Sequence, residues 1–228
     1  MRKTFKFMAI LAMGAALAFA ACGKDDDNTE TAEWVDLGLP SGLLWAKCNL
    51  GATTPEGRGD YYAWGETATK EVYNWSTYKY CTVDAEGSLQ TLTKYNNSTT
   101  WGTPDNLTTL QAMDDAAAQK LGSGARMPTA AEWRELIANT TAEWTQVNGV
   151  NGRKFTGSNG NSLFLPAAGY RYGSELDTAG SGGYYWSSSL HESGPIYAWD
   201  FNFYEGGQGV NGYGRYYGQS VRAVRSQN

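Results

Sequence analysis

Histidine and cysteine are scarce in this chain: His191 is the lone histidine, and the cysteines are Cys22, Cys48 and Cys81. So few soft ligands, so widely spaced, exclude the His/Cys patterns of a zinc site. Gly-x-Ser-x-Gly is absent, and no glycine-rich loop of the phosphate-cradling kind precedes a helix, so the common hydrolase and nucleotide-binding signatures are missing. Charged residues are only 18% of the chain and the net charge is −5. Such an acidic surface repels phosphate backbones, which excludes nucleic acid as a partner. His191 lies in a Gly/Ser/Pro-rich loop beside Glu192, where a histidine is usually just solvated. The adjacent acids Asp114 and Asp115 would point in different directions on a helix. Neither an enzyme nor a bound cofactor or metal is expected.

What the chain does have is aromatic residues and glycine: 15 Tyr, 9 Trp and 28 Gly. With few long aliphatic runs, that composition leans towards a β-rich, loop-rich domain. The one long apolar stretch is N-terminal. Arg2, Lys3 and Lys6 precede Phe7–Phe19, and Phe19-Ala20-Ala21-Cys22 closes it. A basic start, a short apolar run and small residues before a cut describe a signal peptide over residues 1–21. The ending resembles the lipobox of bacterial lipoproteins, which makes Cys22 the lipidated residue. Removal of residues 1–21 takes away three bases and no acid, leaving a net charge of about −8. Residues 22–33 read as a polar, acidic tether, Gly23-Lys24-Asp25-Asp26-Asp27, similar to the surface-export signal of Bacteroides-type lipoproteins. The expected location is therefore the outer membrane, lipid-anchored and exposed at the cell surface. Cys48 and Cys81 then remain as an even pair in an oxidising compartment. A Cys48–Cys81 disulfide and two buried free thiols are both open readings, and the first is the expectation.

From Trp34 onward no linker interrupts the chain, and residues 34–228 are taken as one domain. Trp34–Pro40, Leu43–Ala46 and Tyr61–Gly65 read as strand-like segments closed by turns, and residues 82–108 as long polar loops. Asp114–Leu121 is a short Ala-rich helix stopped by Gly122. Pro128-Thr129-Ala130-Ala131-Glu132 carries a Thr N-cap with an acid three places on, so a second helix starts here with Trp133, Leu136 and Ile137 facing the core. Asn148-Gly149 and Asn151-Gly152 are turn dipeptides, and Lys154–Thr156 with Ser162–Leu165 form a hairpin. The class expected is α+β, with two short helices, several short antiparallel strands and long irregular loops.

Arg126-Met127-Pro128-Thr129-Ala130-Ala131-Glu132-Trp133 is similar to the Arg-Leu-Pro-Thr-x-x-Glu-Trp signature of the formylglycine-generating-enzyme type of C-type lectin fold. Val35–Gly42, Leu44–Ala46, Tyr184–Ser189 and Ser220–Arg225 follow in order around it. Together they resemble the Fibrobacter succinogenes major paralogous domain family of exported bacterial proteins, across nearly all of residues 34–228. The resemblance implies a C-type-lectin-like domain whose signature residues build a scaffold, with function on the loops. It does not imply the enzyme's chemistry, because that uses a late cysteine pair and no cysteine follows Cys81. It does not imply a calcium site either: neither Glu-Pro-Asn nor Gln-Pro-Asp occurs, and Trp199-Asp200 is only a fragment of the Trp-Asn-Asp strand.

Recognition is expected on the C-terminal stretch, where Tyr, Asn and Gly alternate as they do in antibody loops. Ala198, Phe201 or Phe203, and Val210 would point inward. The candidates for the binding face are Tyr172, Tyr184, His191, Tyr197, Trp199, Asp200, Asn202, Tyr204, Asn211, Tyr213, Tyr216 and Tyr217. The stretch also resembles the variable region of retroelement-diversified surface proteins. The function expected is a monomeric surface lipoprotein that binds an extracellular protein or glycan. The alternative is a structural or assembly component of the envelope or of a pilus, using the same aromatic face.

Overall fold

The computed structural model describes residues 32–122 and 124–227. The expected signal peptide, the expected lipidation site at Cys22 and the expected tether as far as residue 31 lie outside the described residues. Among those described, no helix is long and apolar enough to cross a membrane.

In chain order, β1 (Trp34–Asp36) and β2 (Leu44–Ala46) pair antiparallel, followed much later by β3 (Cys81–Val83) and β4 (Leu89–Leu92) as a second hairpin. Then come α1 (Ala116–Leu121) and α2 (Ala130–Asn139), the two α-helices of the described residues. A meander of β5 (Thr140–Val147), β6 (Val150–Gly157) and β7 (Ser162–Pro166) follows, then the small hairpin of β8 (Tyr170–Tyr172) and β9 (Glu175–Asp177). A second meander joins β10 (Gly182–Leu190), β11 (Tyr197–Tyr204) and β12 (Gly207–Gly214). Last, β13 (Val224–Arg225) returns to pair with β2, on the side away from β1.

The expected α+β, C-type-lectin-like domain is corrected by this architecture. The domain is β-rich: five small antiparallel sheets of two or three strands, with helices of six and ten residues. The reason is local. Only α1 and α2 have helix caps backed by helix-forming residues, whereas tight turns fold much of residues 140–214 into hairpins. Asn148 (φ 49°) and Gly149 (φ 80°) both take the left-handed conformation that a two-residue hairpin turn requires, so residues 140–147, read from sequence as no strand, pair along their whole length with β6. The polar stretch after residue 81 likewise holds β3 and β4 rather than loop alone.

Two apolar clusters form the core. One gathers Tyr62, Trp64, Tyr73, Tyr95, Trp186 and Val221; the other gathers Trp45, Trp133, Leu136, Phe155, Tyr185 and Phe201. Trp133 stacks on Phe201 with ring centroids 4.8 Å apart. Trp133 and Leu136 are buried as expected for the inner face of α2, and Ile137 packs at the edge. The start of α2 carries the expected capping box: Thr129 Oγ1 accepts from Glu132 N at 3.2 Å, and the Thr129 N–H donates to Glu132 Oε2 at 2.7 Å. Arg126 completes it with a two-pronged ion pair to Glu132, at 2.7 and 2.6 Å. Two arginines lie inside the core with no carboxylate within 4 Å among the described residues. Arg215 donates to Tyr78 Oη and to the carbonyls of Lys94, Tyr95 and Pro195, and Arg222 donates to Asn49 Oδ1 and to three carbonyls.

The expected Cys48–Cys81 disulfide is not formed; both are free thiols. Cys81 Sγ donates instead to the carbonyl of Trp75 at 3.1 Å. Burial raises both thiols above their ordinary range, Arg222 opposing this at Cys48 and Arg215 at Cys81.

Candidate functional site

Side chains of a strand alternate between its faces, and β11 sorts the expected residues accordingly. Tyr197, Trp199, Phe201 and Phe203 share one face. Ala198, Asp200, Asn202 and Tyr204 share the other, opposite Tyr184 and Trp186 of β10 and Gly209, Asn211 and Tyr213 of β12.

The second face carries the candidate site. Trp186, Leu190 and Ala198 cover one end of it as part of the core. Beyond them runs a polar row: Asn211 Nδ2 donates to Asn202 Oδ1 at 3.1 Å, Asn202 Nδ2 to Asp200 Oδ1 at 3.2 Å, and Gln219 Nε2 to Asp200 Oδ2 at 3.2 Å. The row runs from exposed Asn211 down to Asp200 and Gln219, both 0% exposed. Burial raises the Asp200 carboxyl well above the usual carboxylate range, against the amide donors of Gln219 and Asn202, which lower it.

Tyrosines wall this row. Tyr170 lies 4.8 Å from Tyr184, 5.7 Å from Tyr213 and 5.5 Å from Tyr217, centroid to centroid. Tyr217 stacks on Tyr216 at 4.5 Å and on Tyr172 at 5.3 Å, and Trp75 backs Tyr216 at 4.7 Å. Six tyrosines from β8, β10 and the segment 213–217 thus form one continuous patch, with Tyr172 the most open at 53% exposure. Burial pushes the hydroxyls of Tyr213 and Tyr216 up, helped by Tyr184 and Tyr217 respectively. Burial and a hydrogen bond to Asp177 push Tyr170 up to about 12. All three stay neutral donors across the physiological range.

Of the expected face, Tyr172, Tyr184, Asn202, Asn211, Tyr213, Tyr216 and Tyr217 do come together, with Asp200 buried beneath. Trp199, His191 and Tyr197 are on the other side of the sheet. There His191 packs 4.0 Å from Trp199, Arg134 lies 4.8 Å over the Trp199 ring, and burial lowers the imidazole. Tyr204, 60% exposed, shares the face of the patch but stands at the β11–β12 turn and has no ring contact with the six tyrosines. Two members were missed. Tyr170 was legible, since Tyr170 and Tyr172 are two apart in a strand and share a face. Gln219 carried no such signal. Among the described residues, no group of three His, Cys, Asp or Glu is close enough to hold a metal ion.

A family model described as "Domain of unknown function (DUF8237)" matches residues 137–225, which takes in all six tyrosines of the patch. No curated protein and no solved structure matches the chain.

Proposed function

We propose that the domain is a non-enzymatic ligand-binding module, which recognises an extracellular protein or glycan through the face built by Tyr170, Tyr172, Tyr184, Tyr213, Tyr216 and Tyr217. The observation that carries this reading is their convergence on the Asn211–Asn202–Asp200 row. Tyrosine offers rigid contact area at low entropic cost with a hydroxyl at its tip, and the amides beneath supply directional donors and acceptors. The lipobox-like Phe19-Ala20-Ala21-Cys22 supports placing this module on the outer membrane surface, held by acyl chains on Cys22.

The test is surface plasmon resonance of the full-length protein against a panel of glycans and of extracellular proteins, with Tyr172→Ala and Tyr217→Ala as probes and Tyr204→Ala as control. A ligand whose affinity falls at least about tenfold in the two probes, and stays within about twofold in the control, is the expected result. Equal loss in all three variants, or no ligand at all, would overturn the reading. A concentration-dependent oligomer that Tyr172→Ala dissolves would instead assign the face to envelope assembly.

A further inference from the structure

A second concavity lies behind the tyrosine patch, on the far side of the β8–β9 hairpin. Arg171 sits between Tyr170 and Tyr172 in β8, so its side chain leaves the strand on the opposite face. There it lines a cavity of about 480 Å³ together with Asp60, Tyr61, Lys70, Tyr73 and Ser174.

The walls are held in place by the backbone. Tyr73 and Gly173 exchange N–H···O bonds at 2.8 and 2.9 Å, and Arg171 and Gly218 do so at 2.7 and 3.0 Å. The floor is aromatic and fixed: Tyr61 Oη donates to the Ala168 carbonyl and Tyr73 Oη to the Tyr61 carbonyl, both at 2.6 Å. The rings are therefore not free to turn their hydroxyls into the cavity.

The charges decide what would fit. Lys70 is already spent, its ammonium bound to Glu66 at 2.8 Å and to the Thr77 carbonyl at 2.9 Å. Among the described residues Arg171 has no carboxylate within 4 Å; its guanidinium lies 5.4 Å over the Tyr61 ring and makes one long bond, 3.4 Å, to the Ser174 carbonyl. Among the described residues Asp60 has no cation within 4 Å, and it accepts a hydrogen bond from Tyr62 Oη at 3.3 Å. Glu71, at the exposed rim, forms no ion pair among the described residues. Lys70 apart, one cavity thus presents one cation, Arg171, and two carboxylates, Asp60 and the rim Glu71, with no ion pair between them among the described residues. A guanidinium over an aromatic ring can still offer its fork of donors to a planar carboxylate, and an unpaired carboxylate suits an ammonium.

We infer that this cavity binds a small zwitterion of the α-amino-acid or short-peptide class, its carboxylate on Arg171 and its ammonium turned towards Asp60. The site is separate from the tyrosine face and does not depend on what that face binds.

Isothermal titration of the full-length protein with the common amino acids, glycylglycine and alanylalanine tests this, with acetate and methylammonium as singly charged probes. Binding of one or more zwitterions, and of neither acetate nor methylammonium at the same concentration, is expected. Arg171→Gln and Asp60→Asn should each weaken binding at least about tenfold, and Arg171→Lys should fall between wild type and Arg171→Gln, with melting temperatures showing that the variants are folded. Silence from every zwitterion overturns the inference. So does acetate binding as well as an amino acid does, or affinity unchanged in both Arg171→Gln and Asp60→Asn.

Discussion

The Asp200 carboxyl is 0% exposed and accepts from Gln219 Nε2 and Asn202 Nδ2, each at 3.2 Å. With no cation beside it, burial favours the protonated form and raises its pKa well above the usual value. In the unfolded chain the same carboxyl ionises near pH ~4. As pH rises past that value the unfolded state loses its proton while the folded state keeps it, so this residue's contribution to stability falls with rising pH until the folded-state pKa is passed. Glu132 and Asp114 act in the opposite sense. Hydrogen bonds and ion pairs to Arg126 and Lys94 outweigh burial and hold them low, so the stability they supply is lost as pH falls. Asp200→Asn removes only the first effect and nearly preserves shape. Urea unfolding across pH 4 to 8 should show the variant gaining on wild type as pH rises, with a slope of up to about 1.4 kcal/mol per pH unit inside the window. A difference between the two proteins that does not change with pH would mean that Asp200 is not buried as an acid.

Among the elements, α2 rests on the clearest local chemistry. Thr129→Ala removes one N-cap acceptor and should cost about 1 kcal/mol. Glu132→Ala should cost more, about 2–3 kcal/mol, because it also strips half-buried Arg126 of its partner. Denaturant midpoints at constant slope would read both, and the reverse order would contradict the geometry of the box. This helix was legible because its start, its stop and its apolar stripe are written in adjacent residues. The hairpins were legible only where a turn announced them. Asn148-Gly149 marks the β5–β6 turn, but in Thr140–Val147 only Ala142 and Trp144, which pack on the core between Thr141, Glu143 and Thr145, give an alternation, too short to betray a strand. The tyrosine patch was legible in composition and mis-sorted in geometry. Trp199 and Asp200 are neighbours in sequence and opposites in space, and treating residues 197–217 as one surface ignored the period of two that separates them. Counting cysteines failed for a related reason, since parity says nothing of whether Cys48 and Cys81 can meet.

At the scale of the molecule, the last residues tie the small sheets together. Gly218 bridges to Arg171 in β8, Gln219 to Tyr62 and Ser220 to Tyr185 in β10. Val221 O accepts from Leu50 N at 2.9 Å, Arg222 donates to Asn49 and to the carbonyls of Ala46 and Phe164, and Val224 pairs with both Trp45 and Arg126. The seven residues 218–224 thus reach β2, β8, β10, the loop at 46–50 and the entry to α2. Nearly all are buried, and both core clusters include members of the segment, Val221 and Ala223 in one and Val224 in the other. The domain is therefore closed by contacts distant in sequence, and no meander can complete its core until the C-terminus arrives. Deleting residues 219–228 should abolish cooperative unfolding altogether, leaving secondary structure in far-ultraviolet circular dichroism but no sigmoidal near-ultraviolet melt. Arg222→Ala, which leaves the segment in place but orphans the carbonyls it satisfies, should keep the transition and lower its free energy by about 3 kcal/mol or more. A truncated chain that still melts in one sharp step would show that the sheets carry their own stability. The C-terminal strand would then be a late addition, not the clasp of the fold.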